Sequence, residues 1–163
     1  MAEQTPENGA SAGEDKQFAI QKIYLKDCSF ESPNSPKSFT LNEWNPNISV
    51  QVGNAAAGLG ENQYEVALTI TVTASQDEQT LYLAEVQYAG IFGITGFGRP
   101  ELEHMLGAYC PNLLLPYVRE SVSDLIVKGG FPQYLLQPIN FDALLAQHRQ
   151  QQAAQAEAPA TPQ

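Results

Sequence analysis

Basic residues are scarce in this chain. Its 163 residues include eight Lys and Arg against eighteen Asp and Glu, a formal net charge of −10. A protein that grips nucleic acid needs a basic stripe to displace counterions from phosphate. The few basic residues here are scattered, which excludes that class and disfavours an anionic membrane surface. Any charged partner should be cationic. No run of about 18 apolar residues occurs, so no helical span and no membrane insertion are expected. The first residues, MAEQTPENGASAGEDK, lack the basic and apolar regions of a secretory signal, and the expected location is the cytoplasm. Cysteine is nearly absent too. Cys28 and Cys110 have no short-spaced partner and read as free thiols in a reducing compartment. The sequon Asn47-Ile48-Ser49 is then without consequence. The two histidines, His104 and His148, have no partner at ligand spacing, so no metal and no cofactor are expected.

What is present reads as one folded domain between two polar ends. Residues 1–16 form an acidic leader and 150–163 (QQQAAQAEAPATPQ) a low-complexity tail, both expected to be disordered. The domain is 17–149. FAIQKIYLKDCSFE (18–31) is strand-like, with Phe18, Ile20, Tyr24, Cys28 and Phe30 on one parity and Ile23, Leu25, Asp27 and Glu31 on the other. A long Pro/Asn/Ser-rich connection, 32–46, holds Phe39 and Trp44. ISVQV (48–52) and YEVALTITVTA (64–74) alternate cleanly, with GNAAAGLGEN (53–62) as a flexible turn region between them. SQDEQ (75–79) turns the chain into TLYLAEVQYAG (80–90). There Tyr82, Ala84, Val86 and Tyr88 match the core parity, and Leu81, Leu83, Glu85 and Gln87 face the other way.

A glycine-dense linker, GIFGITGFG (90–98), leads to Pro100 and an i/i+3/i+4 pattern from Leu102 to Ile126. The pattern stops at Lys128-Gly129-Gly130. A helix of about 29 residues would be roughly 43 Å long, more than one small sheet covers. Two prolines, Pro111 and Pro116, lie inside it. FPQYLLQPIN (131–140) is an apolar loop, and Asn140 caps a short last helix. The class is α+β: a four-stranded antiparallel sheet followed by one long and one short helix.

These patterns hold no arrangement suited to catalytic chemistry. Cys110 would need a histidine in contact to act as a nucleophile. His104, six residues earlier, falls on another helical face, so Cys110 reads as a small packing residue. The glycines at 90, 93, 96 and 98 run G-x-x-G-x-x-G-x-G, which is neither a dinucleotide nor a phosphate-loop order. They read as a hinge. No catalytic residue is assigned.

Two surfaces remain. If strands one and four are neighbours, Leu81, Leu83 and Glu85 join Asp27 and Glu31 in an apolar spot ringed by carboxylates. That is either a partner-docking patch or an ordinary solvated face with stray leucines. The other surface is apolar: Phe39, Trp44, Ile48, Val50, Val52, Phe131, Tyr134, Leu135 and Leu136. These are either core or an exposed groove.

The stretches IYLKDCSFESPNSP (23–36), YEVALTITVTAS (64–75), LAEVQYAGIFGI (83–94), LGAYCPNLLLPYVRES (106–121) and FPQYLLQPINFDALL (131–145) together resemble the SecB family of bacterial protein-export chaperones. The resemblance runs from about Phe18 to Gln151. It implies an ATP-independent holdase that binds unfolded precursor proteins and delivers them to the export motor ATPase, SecA. It implies a homotetramer built as a dimer of dimers, with the long helix at an interface that includes Tyr109, Cys110, Leu113 and Tyr117. It places motor docking on Asp27, Glu31, Leu83 and Glu85, facing the motor's zinc-bearing C-terminal segment. It places a client groove on Phe39, Trp44, Ile48, Val50, Val52, Phe131, Tyr134 and Leu136. The competing readings are a structural oligomer and a small-ligand domain without holdase activity.

Overall fold

A computed structural model describes residues 15–157. Four strands form one antiparallel sheet: β1 (Gln17–Glu31), β2 (Asn47–Gly60), β3 (Gln63–Gln76) and β4 (Gln79–Thr95), in the order β1-β4-β3-β2. The β3–β4 connection is the two-residue turn Asp77–Glu78, with φ of 51° and 62°. Paired positive φ matches the right-handed twist of a tight hairpin.

Both glycine-rich stretches turn out to be strand. β2 runs through 53–58 in register with β3, from Gly53↔Thr69 to Gly58↔Tyr64, so the expected flexible region shrinks to a turn at Glu61–Asn62. Its small residues have little strand propensity of their own. The strongly patterned β3 beside them supplies the ladder. Likewise β4 continues to Thr95, paired on both sides as far as Gly93 and with β1 beyond it, and the expected hinge is confined to 96–98. Phe92 and Ile94 keep the inward alternation there and are buried. At Gly90 the Phe92 ring lies 2.7 Å from where a Cβ would stand. Any larger residue would displace it.

Bulges correct the parity twice. In β4 the register passes from Ala74↔Tyr82 to Ser75↔Thr80, leaving Leu81 as the extra residue; it turns inward and is buried, off the outer face expected for it. In β1, Gln21 and Lys26 are skipped in the pairing with β4. Each skip reverses the alternation. Ile23 therefore joins Phe18 and Phe30 against the core, while Tyr24 moves to the outer face.

The helical run comprises α1 (Arg99–His104), a π turn (Met105–Tyr109) and α2 (Cys110–Lys128). Pro111 has no N–H and its ring crowds the carbonyl four residues back. The chain widens just before it, and Cys110 N–H reaches the Met105 carbonyl, five residues back. Leu114, Val118, Val122 and Ile126 then lay an i/i+4 stripe across β3 and β4, against Val66, Leu68, Ile70, Val72 and Val86. α3 (Phe141–Glu157) is capped by Asn140, whose Oδ1 accepts from Ala143 N at 3.0 Å. It runs beyond residue 149, so 150–157 is helix, exposed through residue 156; residues 1–14 of the expected leader and 158–163 of the expected tail lie outside the described residues.

α2 ends in a Schellman motif. Phe131 N–H bonds the Ile126 carbonyl at 3.1 Å and Gly130 N–H bonds that of Val127 at 3.0 Å, with Gly130 at φ 86°. A Cβ on Gly130 would also stand 3.2 Å from the Phe39 ring. Gly130→Ala should therefore lower stability by about 1–2 kcal/mol from the left-handed backbone alone, read as a drop in the denaturation midpoint with an unchanged m-value.

Candidate functional site

The outer sheet face, opposite the helices, gathers the four expected docking residues. Glu31 is paired with Leu83, Ser29 with Glu85 and Asp27 with Gln87, so all four side chains share one face of neighbouring strands. Directly opposed positions stand about 5 Å apart, which makes one continuous patch. Asp27 and Glu31 are exposed; Leu83 and Glu85 are half-buried. Thr71 donates to Glu85 at 2.9 Å and holds its carboxylate in place. Beside the patch, Lys26 and Tyr24 both bond Glu65, reaching across β4 to β3. Lys26 first, then Tyr24, holds the Glu65 carboxyl below the usual carboxylate range, and the same bond raises the Tyr24 phenol. Sequence reading missed this group because it depends on the β1 bulges.

The expected apolar groove divides into a nest and a trough. In the nest, Phe131 lies 5.0 Å from Tyr82 and 6.3 Å from Phe30, ring centre to ring centre. Burial, with a lesser push from Tyr134, raises the Tyr82 phenol to about 12. Above Phe131 sit Phe39 at 4.9 Å and Trp44 at 5.8 Å, which are 52% and 41% exposed. Phe131 and Leu136 are themselves buried. They form the floor of the surface, drawn in by the Schellman turn and the Arg119 bond to the Leu136 carbonyl. In the trough, Val50 and Val52 point to the helical side of β2 yet stay 38% and 37% exposed, since α2 does not reach them. Ile48 and Tyr134 are half-buried between nest and trough. Val52, Asn54, Gly107, Leu144 and His148 line a cavity of about 340 Å³ between β2 and α3. Leu144 is an apolar lining residue that α3 brings in and that pattern alone did not single out.

On the expected helical interface, Tyr109 and Tyr117 are exposed and Leu113 is half-buried. Cys110 is a correction. It points into the protomer and is fully buried, being in line with Leu114 and Val118 on the core stripe. Burial raises its thiol to about 12. His104 pairs instead with Asp142 at the start of α3. Among the described residues no three His, Cys, Asp or Glu side chains converge as metal ligands, and no helix is long and apolar enough to cross a membrane.

The protomer is an α+β sheet backed by one helical layer, with apolar surface left open on one side and an acidic patch on the other. The family model described as preprotein translocase subunit SecB matches residues 11–152. A protein-export protein SecB of Methylococcus capsulatus is 53% identical over 148 residues, covering 91% of this chain and 94% of that one. One of Nitrosococcus oceani is 52% identical over 153 residues, covering 93% of each. The chain belongs to the SecB family of protein-export chaperones. The fold also matches that of a SecB-like chaperone of Mycobacterium tuberculosis, solved in complex with a ChAD peptide from an antitoxin. The TM-score is 0.62 at 18% identity, covering 75% of this chain and 90% of that one.

Burial and the raised thiol should make Cys110 inert. A Cys28→Ser protein should take no alkylating label at about pH 8 while native and one label in denaturant. Mass spectrometry reads the difference, and native labelling of Cys110 would contradict its packing.

Proposed function

We propose that this protein holds unfolded precursor polypeptides in the cytoplasm, without nucleotide, and passes them to the export motor SecA. The observation that carries the client half is apolar surface left open on the helical side of the sheet: Phe39, Trp44, Val50 and Val52 beside the buried floor of Phe131 and Leu136. Apolar burial is largely indifferent to sequence. The unpaired edge of β2 adds main-chain donors and acceptors to which an extended segment can add as a strand. A folded client has already buried its apolar groups, so selection for unfolded chains needs no signal. No step calls for a catalytic residue or a resident cofactor.

The docking half rests on Asp27, Glu31, Leu83 and Glu85. Leu83 offers a small apolar centre, and the three carboxylates suit a basic segment such as the motor's zinc-bearing C-terminus. The zinc belongs to the motor. The net charge of −10 favours the same partner. A homotetramer is supported by apolar groups that one protomer leaves uncovered: Ile20 and Leu25 on β1, whose outer edge is unpaired, and Tyr109 and Tyr117 on the long helix. Leu113 belongs to the same helical surface.

Two measurements check this. Calorimetric titration with one exported precursor, freshly diluted from denaturant, should give tight binding, and the same precursor prefolded should give none. Binding to neither would return the apolar surface to the status of a structural interface. Separately, Leu83→Ala and Glu85→Lys should each weaken binding of the motor's C-terminal segment by roughly tenfold or more, with unfolded-client affinity unchanged. Raising salt should weaken the wild-type interaction in the same direction.

A further inference from the structure

The connection between β1 and β2 is a strap laid over the aromatic nest, and its attachments are uneven. At one end Ser32 Oγ donates to the Leu81 carbonyl at 3.2 Å, and Asn34 Nδ2 donates to the Thr80 carbonyl at 2.8 Å. Both acceptors belong to the β4 bulge, which turns them toward the strap. At the other end the Gln76 amide holds the backbone on both sides of Trp44. Its Nε2 donates to the Glu43 carbonyl at 3.0 Å and its Oε1 accepts from Asn45 N at 3.0 Å. Between these anchors the strap's hydrogen bonds are its own: Ser38 N to the Asn34 carbonyl, Phe39 N to that of Pro36 and Thr40 Oγ1 to that of Lys37. Its middle is held to the body by apolar contact, above all by Phe39 and Trp44 against Phe131. That closed position also buries the Ser38 hydroxyl without a partner, which penalises it.

We infer that the strap is a self-cap: in the empty protein Phe39 and Trp44 occupy the Phe131 face that a client's aromatic side chain would take, and the Asn34 and Gln76 anchors set how readily they yield it. This deepens, and rests on, the chaperone reading above. A ring from an unfolded chain and a ring from the strap make the same kind of contact with Phe131, so they compete. Apparent client affinity is then the intrinsic affinity scaled by the fraction of molecules with the strap displaced. The Phe131 floor is covered until a client arrives.

The test uses the full chain and a permanently unfolded, tryptophan-free probe, reduced and alkylated ribonuclease A. Gln76→Ala removes both bonds that bracket Trp44. It should tighten probe binding about three- to tenfold, within the net worth of one or two neutral hydrogen bonds. Trp44 is the only tryptophan, so its emission in the unliganded variant should move to the red as the strap loosens. Asn34→Ala, at the opposite anchor, should tighten binding in the same sense. Wild-type binding with equal or weaker binding by both variants, their circular dichroism unchanged, would overturn the self-cap and make the strap a fixed contact wall. A wild-type protein that binds no probe would overturn the chaperone reading itself.

Discussion

Four strands at about 4.8 Å spacing span more than a single helix about 10 Å across can cover. The α2 stripe of Leu114, Val118, Val122 and Ile126 lies over β3 and β4 and seals their inner face. β1 and β2, at the edges, keep apolar residues of the same face in the open: Ile20 and Leu25 on one side, Val50 and Val52 on the other. A globular monomer would cover them. Here they stay uncovered in the protomer. Large exposed apolar groups beside two sheet edges that pair with no strand among the described residues suit a protein that works through contact with polypeptide.

The helix end converts that packing into a site. Two glycines after Lys128 let rings approach from opposite sides: a Cβ at Gly129 would lie 2.2 Å from the Phe30 ring, and one at Gly130 would crowd Phe39. The Schellman turn then swings Phe131 back into the gap. One short motif therefore stops the helix, seals the end of the core and lays the floor of the apolar surface. The outer face has a different chemistry because nothing covers it. Asp27 and Glu31 stay open to solvent there, and the half-buried Leu83 lies among the carboxylates as an apolar centre.

Much of the fold was legible in residue pattern. The alternation of Tyr64, Val66, Leu68, Ile70, Val72 and Ala74 is strict enough to name β3 and its buried face. The α2 stripe and its Gly129-Gly130 stop can be read directly, as can Asn140 as the cap of α3. The four acidic-face positions could be grouped once strands one and four were taken as neighbours. The failures share a cause. Gly53–Gly58 and Gly90–Gly93 belong to strands whose evidence lies in their partners. Leu81 and Tyr24 changed face because of bulges, which shift parity without leaving a signature in composition. Cys110 was placed at the interface by resemblance alone, whereas its i/i+4 spacing to Leu114 and Val118 puts it on the core stripe. Gln76 was invisible as an anchor, since its role depends on two backbone groups thirty residues away in the chain.

By itself the sequence determined the strong periodicities: the alternation of 64–74, the i/i+4 stripe of the long helix and its glycine stop. These follow from local sterics and from the cost of burying a polar group, and neither needs a neighbour distant in sequence. Tertiary structure alone decided which oily faces are sealed and which stay open. That outcome depends on how many strands one helix can shade, where bulges reverse a face, and which carbonyls are left pointing at the strap. Those are properties of packed elements, and no single segment carries them.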